Sequence, residues 1–293
     1  MTTPNIAAAP ISWGVCEVPG WGVQMTLERV LNEMSELGFS ATEFGPLGFL
    51  PEQPTERAEV LRSRGLTAVG GFVPVVLHDP GHDPIPEISA ELRSFTAAGA
   101  GVLVLAAATG VDGYDEPRPV LDESGWATLL GNLDRLSQLA GDVGVRAVLH
   151  PHVGTLVETP DDINRVLQGS SIPFCFDTGH LLIGGTDPVA FAAAHADRIG
   201  HAHLKDVNLK VAKTVQDGSR TYYQAVIAGM YRPLGRGDID MRNIITSLTA
   251  VGYDGWFVLE QDNVLAAEPS IGEGPIDDAR ASLEFLRSVL DDA

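Results

Sequence analysis

The chain has 293 residues, enough for one large barrel or two medium domains, and an ordinary globular composition of 44% hydrophobic and 20% charged residues. Its 39 acidic and 19 basic residues give a formal net charge of −20, which argues against nucleic acid or an anionic membrane surface as a partner. Neither cysteine has a CxxC partner, and no signal-peptide pattern or apolar run of ~20 residues occurs, so we expect a cytoplasmic protein.

Short apolar runs alternate with helical patterns through the first half of the chain. Residues 25–37 have apolar side chains at helical spacing and are followed by Gly38, a common helix stop. On the same criteria, the predicted strands are residues 6–11, 41–44, 66–72 and 101–107, and the predicted helices are residues 25–37, 55–64 and 86–98.

The same alternation continues through the second half. Thr159 is placed to cap a helix that has Pro160 at its first position, and Asp187 is placed to cap the next helix. Residues 207–237 form the longest irregular stretch, for which a lid over the site and a contact in a homo-oligomer are both left open. The predicted strands are residues 145–150, 174–177, 199–204 and 256–260, and the predicted helices are residues 123–143, 160–167, 188–195, 241–251 and 276–290.

Eight strand–helix units follow one another in this pattern, and buried strands with helical crossovers indicate a parallel sheet. Eight units in a chain of this length predict a closed (β/α)₈ TIM barrel, with one domain over residues 1–293. An open doubly wound sheet is the alternative, but it usually has a glycine-rich phosphate loop after its first strand. The segment Ser12-Trp13-Gly14-Val15 does not have that pattern.

Residues able to bind a metal stand where predicted strands end. In a barrel all C-terminal strand ends face one mouth, where active sites lie. Mixed carboxylates and imidazoles suit Mn²⁺, Co²⁺, Fe²⁺, Zn²⁺ or Mg²⁺. We expect Cys175 to lie too deep to join them, and His201 to be a core histidine turned towards the helices. The strand-end residues are Glu43, His150, His152, Asp177, His203 and Glu260.

Several of these segments resemble the xylose-isomerase-like barrel superfamily of sugar isomerases, epimerases and dehydratases. The resemblance is carried by Phe-Asp-Thr-Gly-His at 176–180, His-Ala-His-Leu-Lys-Asp at 201–206 and Val-Leu-Glu-Gln at 258–261. It implies one divalent metal, with His150 in the place of the superfamily's first glutamate and Glu158 as the fallback ligand. The implied metal ligands are His150, Asp177, His203 and Glu260.

Within that superfamily the chain is most similar to the inosose dehydratases, through residues 9–15, 41–46, 70–74 and 150–159. This resemblance implies a lyase that dehydrates a cyclic polyol ketone of the 2-keto-myo-inositol type through an enediolate. Mn²⁺ or Co²⁺ is the favoured metal. The alternatives are a sugar isomerase or ketose epimerase on the same barrel and, less favoured, a non-catalytic binding subunit. The net charge argues against the DNA-repair endonuclease relative.

The resemblance also assigns roles to individual residues around a small polyol or sugar substrate. Glu260, or His152 as an alternative, is predicted to remove the α-proton, and a neutral imidazole at His150 favours such one-base chemistry. The predicted acid for the leaving hydroxyl is His180, Lys205 or His152. The residues predicted to contact the substrate are Trp13, Glu43 and Phe44.

Overall fold

The computed structural model describes residues 5–111 and 113–292, which contain eleven strands and eleven α-helices. The strands are β1 (Asn5–Ala8), β2 (Ala41–Thr42), β3 (Thr67–Ala68), β4 (Gly70–Val76), β5 (Val102–Ala108), β6 (Arg146–Leu149), β7 (Phe174–Asp177), β8 (Ile199–Leu204), β9 (Asp206–Val207), β10 (Tyr231–Arg232) and β11 (Trp256–Leu259). The helices are α1 (Leu27–Glu36), α2 (Pro54–Arg62), α3 (Ile85–Ala98), α4 (Glu123–Gly141), α5 (Pro160–Gly169), α6 (Thr178–Ile183), α7 (Pro188–His195), α8 (Leu209–Gln216), α9 (Tyr222–Ile227), α10 (Met241–Ala250) and α11 (Pro275–Asp291).

One continuous segment closes the main sheet into a barrel. The sheet runs in the order β3-β2-β1-β11-β8-β7-β6-β5-β4, and every pair in it is parallel. Only Val69 separates β3 from β4, and its backbone bonds to the chain on either side of the seam. The Val69 N–H donates to the carbonyl of Thr42 on β2, and the Val69 carbonyl accepts from the amide of Gly101, just before β5. A Cβ on Gly70 would lie 2.0 Å from the Val102 carbonyl oxygen, so the seam requires glycine. The predicted (β/α)₈ barrel is confirmed.

Small side chains fill the barrel interior, and larger ones pack between the strands and the helices. On β5, Val102 and Val104 belong to the interior cluster while Leu103 and Leu105 belong to the outer core, as the two-residue period of a strand requires. The interior cluster consists of Ala7, Ala9, Ala41, Val69, Val102, Val104, Val148, Cys175 and Val258. Among the described residues, no helix is long and apolar enough to cross a membrane.

The first strand ends earlier than predicted. β1 stops at Ala8, and a 3-10 helix occupies Pro10–Trp13 instead. Pro10 has no N–H to donate to a ladder and its fixed φ suits the first turn of a helix, so the backbone turns there.

The prediction of an irregular stretch at residues 207–237 was wrong. β9 and β10 form an antiparallel pair that encloses α8 and α9. Thr221 and Gln224 form a capping box at the start of α9, and the Tyr222 amide donates to Asp115 Oδ1 at 2.6 Å. The segment is therefore ordered by local caps and by a contact with the loop after β5.

Candidate active site

A cavity of about 280 Å³ opens where the barrel strands end. Its lining divides into two sides that differ in chemistry. The polar wall consists of His150, His152, His203, Lys205, Glu260 and Asp262. The apolar wall consists of Ile11, Phe44, Leu50, Phe72, Pro74 and Phe95. Such a cavity, mostly apolar with a few convergent polar groups, has the form of a small-molecule site.

Backbone and carboxylate partners fix the ring nitrogens of two buried histidines. His150 Nδ1 lies 2.9 Å from the Pro151 carbonyl, which can only accept, so Nδ1 carries the proton and Nε2 has the free lone pair. His203 Nε2 lies 3.1 Å from Glu43 Oε1, so Nδ1 has the free lone pair in the neutral ring. In the neutral form that binds a metal, both rings thus direct the lone pair of a nitrogen to the same region.

The free nitrogen of His203 faces two carboxylates. His203 Nδ1 lies 3.2 Å from Glu260 Oε2 and 3.6 Å from Asp177 Oδ2, and ligand atoms of the three residues lie within 4.8 Å of one another. His150 Nε2 approaches the same Asp177 oxygen at 3.3 Å. Among the described residues, Asp177 Oδ2 and His203 Nδ1 are buried without a hydrogen-bond partner. Buried polar atoms are rarely left unpaired, and this oxygen and nitrogen set fits a divalent metal.

The two carboxylate oxygens of Asp177 have different roles: one caps a helix and the other faces the site. Oδ1 accepts from the amide of His180 at 2.8 Å and caps α6, a helix that was not predicted from the sequence. Oδ2 is thereby left facing the cluster. Burial opposes ionisation, but Lys205 and His180 hold the pKa of this carboxyl well below its usual range, so Asp177 is a carboxylate at neutral pH.

Glu43 lies behind His203 and accepts two hydrogen bonds on Oε1, from His201 at 2.8 Å and from His203 at 3.1 Å. The expectation that His201 turns towards the helices was wrong, because positions two apart on a strand share a face, and both side chains point inward. Although burial favours the neutral acid, His203 and His201 lower the pKa of Glu43. Glu43 therefore orients two imidazoles as well as lining the cavity.

Glu158, the fallback metal ligand, lies away from the cluster of Asp177, His203 and Glu260. Glu158 Oε2 accepts from the Gly154 amide at 2.8 Å and lies 3.3 Å from Nε of Arg118. It belongs to none of the buried groups of metal-ligand atoms found among the described residues. His150, directly after β6, is the residue that approaches Asp177, and Glu158 is not. Cys175 lies in the small-residue interior, within reach of His150 and His203, and burial raises the pKa of its thiol to about 12.

Lys205 is the charged centre of the polar wall. Its Nζ lies 2.7 Å from Asp262 Oδ1, 3.0 Å from Glu260 Oε2 and 3.4 Å from Asp177 Oδ2. Burial would favour the neutral amine, but Asp177 and Asp262 raise the pKa of Lys205 well above its ordinary value. The wall thus contains an ammonium at neutral pH among three carboxylates.

Asp262 and two tyrosines, Tyr222 and Tyr231, were not among the predicted site residues. Tyr222 donates its hydroxyl to Asp262 Oδ2 at 2.5 Å and lies 2.8 Å from the hydroxyl of Tyr231. Burial raises the pKa of Asp262 while Lys205 opposes the rise. Asp262 could have been found, because it follows Glu260 by two and so shares its face. Tyr222 could not, since it comes from α9, in the stretch interpreted as irregular.

A model of one protein family, described as xylose isomerase-like TIM barrel, matches residues 31–289. The chain belongs to this family. An inosose dehydratase from Geobacillus thermodenitrificans is 31% identical over 293 residues, covering 97% of this chain and 96% of that protein. The family and the resemblance predicted from the sequence are thereby confirmed.

Solved structures share the fold of this family at low identity. A structure of the IolI protein with a bound zinc atom has a TM-score of 0.69 at 15% identity and covers 98% of each chain. A structure of L-ribulose 3-epimerase has a TM-score of 0.69 at 16% identity, covering 99% of this chain and 95% of the other. At such identities the likeness establishes the barrel and no more.

Three other predicted site residues lie in different surroundings. His152 lines the cavity. The ring of His180 stacks on the ring of His152, with the ring centroids 3.7 Å apart, but His180 does not line the cavity. Trp13 also does not line the cavity: it is fully buried, and its indole N–H donates to Glu33 at 2.8 Å. The substrate contact predicted for Trp13 is therefore not available, whereas Phe44 and Glu43 do line the cavity.

Proposed function

We propose that this barrel is a metal-dependent lyase that dehydrates a cyclic polyol ketone of the inosose type. The observation that carries the proposal is the convergence of Asp177, His203 and Glu260 on one point beside a buried ammonium, inside a cavity. Relatives named inosose dehydratase match nearly the full length of the chain at 31% and 32% identity. These relatives are enzymes, and they support a dehydratase.

The proposed metal site is formed by Asp177, His203 and Glu260, with His150 approaching from β6. These residues would hold a divalent ion, and its chemistry there would be that of a Lewis acid that polarises a ketone and acidifies the neighbouring C–H bond. Two carboxylates and two neutral imidazoles favour Mn²⁺ or Co²⁺, with Zn²⁺, Fe²⁺ and Mg²⁺ as alternatives.

Glu260 is the proposed base. Burial favours its neutral form, but His203 and Lys205 lower the pKa of this carboxyl, so it is ionised at neutral pH and can accept the α-proton. It lines the cavity at the end of β11, where a bound ring would present a C–H bond. His152 is the second candidate: Nδ1 lies 2.7 Å from the Val153 carbonyl, which leaves a lone pair on Nε2. Burial and His150 keep the pKa of His152 low.

Lys205 is the proposed acid for the leaving hydroxyl. It is a buried ammonium that lines the cavity 3.0 Å from the proposed base. When the β-hydroxyl departs, one Nζ–H proton passes to it and water is formed. Asp262 holds the ammonium in place through Oδ1 and is itself held by the Tyr222 hydroxyl, which donates to Oδ2. His180 Nε2 lies 3.2 Å from Lys205 Nζ and positions it without lining the cavity.

An isomerase or epimerase has less support on this chain. Epimerase structures match at 16% and 18% identity, where only the fold is shared, whereas the relatives that match at 31% and 32% are named dehydratases. Epimerisation also uses a base on each face of the substrate, and His150, directly after β6, occupies the position where the superfamily resemblance implies a second carboxylate.

The test is turnover of an inosose by the chelator-treated protein with and without added Mn²⁺. We expect turnover only with metal, and a loss in kcat of about 10²–10⁴-fold for Glu260→Gln. Glu36→Gln is the matched control, because Glu36 is exposed on α1 and should leave the rate unchanged. Dehydration at full rate without metal would refute the mechanism. Turnover of ketohexoses alone would refute the dehydratase assignment while leaving the metal site intact.

A further inference from the structure

The apolar wall borders a buried guanidinium. Arg57 on α2 is 9% exposed and lines the same cavity as the polar wall. Its position is fixed on three sides: Nε donates to the Pro51 carbonyl at 3.2 Å, Nη1 donates to Ser94 Oγ at 3.3 Å, and Cζ lies 4.7 Å from the centre of the Phe44 ring. The guanidinium is therefore preorganised before any ligand enters.

The charge of Arg57 is not neutralised by the residues that hold it. A guanidinium has five N–H donors, and its partners among the described residues are one carbonyl and one hydroxyl, both uncharged. No carboxylate of the described residues lies within 4.0 Å of it. Glu91 lines the same cavity and its charge favours the ion, but burial is the larger influence and lowers the pKa of Arg57. A guanidinium remains charged even so.

Arg57 and Lys205 both line the cavity, but they differ in whether neighbouring carboxylates balance their charge. Lys205 contacts Asp177, Glu260 and Asp262, so its charge is more than balanced. Arg57 is therefore the lining cation with no carboxylate of the described residues within 4.0 Å, and it can pair with an anion that enters the cavity. The surroundings of Arg57 are aromatic, since Phe44 and Phe95 pack edge to face at 5.1 Å between ring centres.

We propose that the part of the cavity bounded by Phe44, Leu50, Phe95 and Arg57 is a subsite for an organic carboxylate with an apolar body. The carboxylate pairs with the guanidinium fork, and the apolar body packs on the rings. The subsite goes beyond the proposed function, because a neutral polyol ketone has no charge to pair with Arg57. Its hydroxyls would also lose hydrogen bonds to water against an apolar surface.

Calorimetric titration with benzoate and its uncharged isostere benzamide tests the subsite on the full chain. We expect the wild-type protein to bind benzoate at least about tenfold more tightly than benzamide. Arg57→Gln should abolish that preference, and Arg57→Lys should reduce it severalfold, because an ammonium keeps the charge and loses the fork. Arg62→Gln is the matched control: Arg62 is exposed on the same helix, so the preference should persist.

Equal affinity of the wild-type protein for benzoate and benzamide would overturn the subsite, as would a preference that Arg57→Gln leaves unchanged in a folded protein. Binding needs no turnover, so this result stands whether or not an inosose is dehydrated. Inhibition kinetics then distinguish the source of the carboxylate. Competition between benzoate and an inosose assigns the carboxylate to an inhibitor that displaces the polyol ketone, whereas simultaneous binding assigns it to a separate effector.

Discussion

The polar wall and the apolar wall come from opposite halves of one barrel. The apolar wall lies within residues 11–95, and the polar wall within residues 150–262. The two meet at adjacent positions after β2, where Glu43 turns to the histidines and Phe44 turns to Arg57 and Phe95. The two halves thus have different roles. The strands of the second half position the reacting groups, and the elements of the first half select the ligand that is held against those groups.

The walls also differ in how their charges are balanced. The polar wall neutralises its own ammonium, and its unpaired atoms are acceptors that suit a cation. The apolar side has a guanidinium with only uncharged hydrogen-bond partners. A substitution in one wall should therefore change a different property from a substitution in the other.

Removal of the ammonium from the polar wall should have the largest effect. Lys205→Met leaves Asp177, Glu260 and Asp262 buried without their shared counter-ion, so we expect the free energy of unfolding to fall by about 3–5 kcal/mol. Urea denaturation measures it. Lys210→Met, at an exposed lysine on α8, should change stability little. A similar loss in both variants would show that the three carboxylates do not depend on Lys205.

A cavity in the apolar wall should cost somewhat less and leave metal binding intact. We expect Phe44→Ala to lower the free energy of unfolding by about 3 kcal/mol, because a 95% buried ring is lost from its contacts with Phe95 and Arg57. Leu47→Ala is the control, since Leu47 lines the same cavity but is 88% exposed. Mn²⁺ affinity measured by calorimetry should be unchanged in both. A large loss of Mn²⁺ affinity in Phe44→Ala would mean that the walls are not independent.

Substitution of Glu43, the residue before Phe44, should instead weaken metal binding. Glu43→Gln weakens the support that fixes the His203 ring, so we expect Mn²⁺ affinity to fall by about 10–100-fold. The same titration of the wild-type protein is the reference. Unchanged affinity would indicate that His203 is held by its strand alone.

The smallest predicted effect concerns the loop that presents His152. Asp162 closes the capping box with Thr159 and pairs with Arg118 at 3.0 Å. Burial raises the pKa of this carboxyl, but the Thr159 amide, the Thr159 hydroxyl and Arg118 lower it more. A lowered pKa means that the contribution to stability is present above the unfolded-state value and is lost as pH falls through the folded-state value. Asp162→Asn should therefore cost about 1 kcal/mol at pH 7.

Denaturation of Asp162→Asn and wild type across acidic pH checks this sign. The stability difference between them should shrink as the pH falls towards the lowered pKa. A difference that grows on acidification would contradict the assignment of Asp162 as an ionised cap.

The fold was predictable because each strand is a short aliphatic run followed by a helix of the right period. Strand boundaries were less predictable. The predicted first strand continued over Pro10, but β1 ends before it, because proline has no N–H to donate to the ladder. The helices α8 and α9 were missed because they are short and are stabilised by caps and by the contact of Tyr222 with Asp115. Such contacts leave no periodic signal.

The polar wall was largely predictable, since Asp, His and Glu at the end of an apolar strand stand out. The apolar wall was mostly not, because Leu50 or Phe95 facing a cavity has the same sequence pattern as one facing the core. Arg57 was also missed, because an arginine on an amphipathic helix is normally a surface residue. Trp13 was assigned to the substrate on residue type alone, and its bond to Glu33 places it in the core.

The closure of the barrel through Val69 and Gly70 has a consequence for how copies of the chain meet. A sheet that joins its own first and last strands has no open edge from which another chain could extend it. Because a side chain at position 70 would collide with the Val102 carbonyl, this protection against intermolecular strand pairing depends on the absence of a single carbon atom. A barrel split at this seam would expose two backbone edges, and aggregation would follow even though every residue of the cavity remained unchanged.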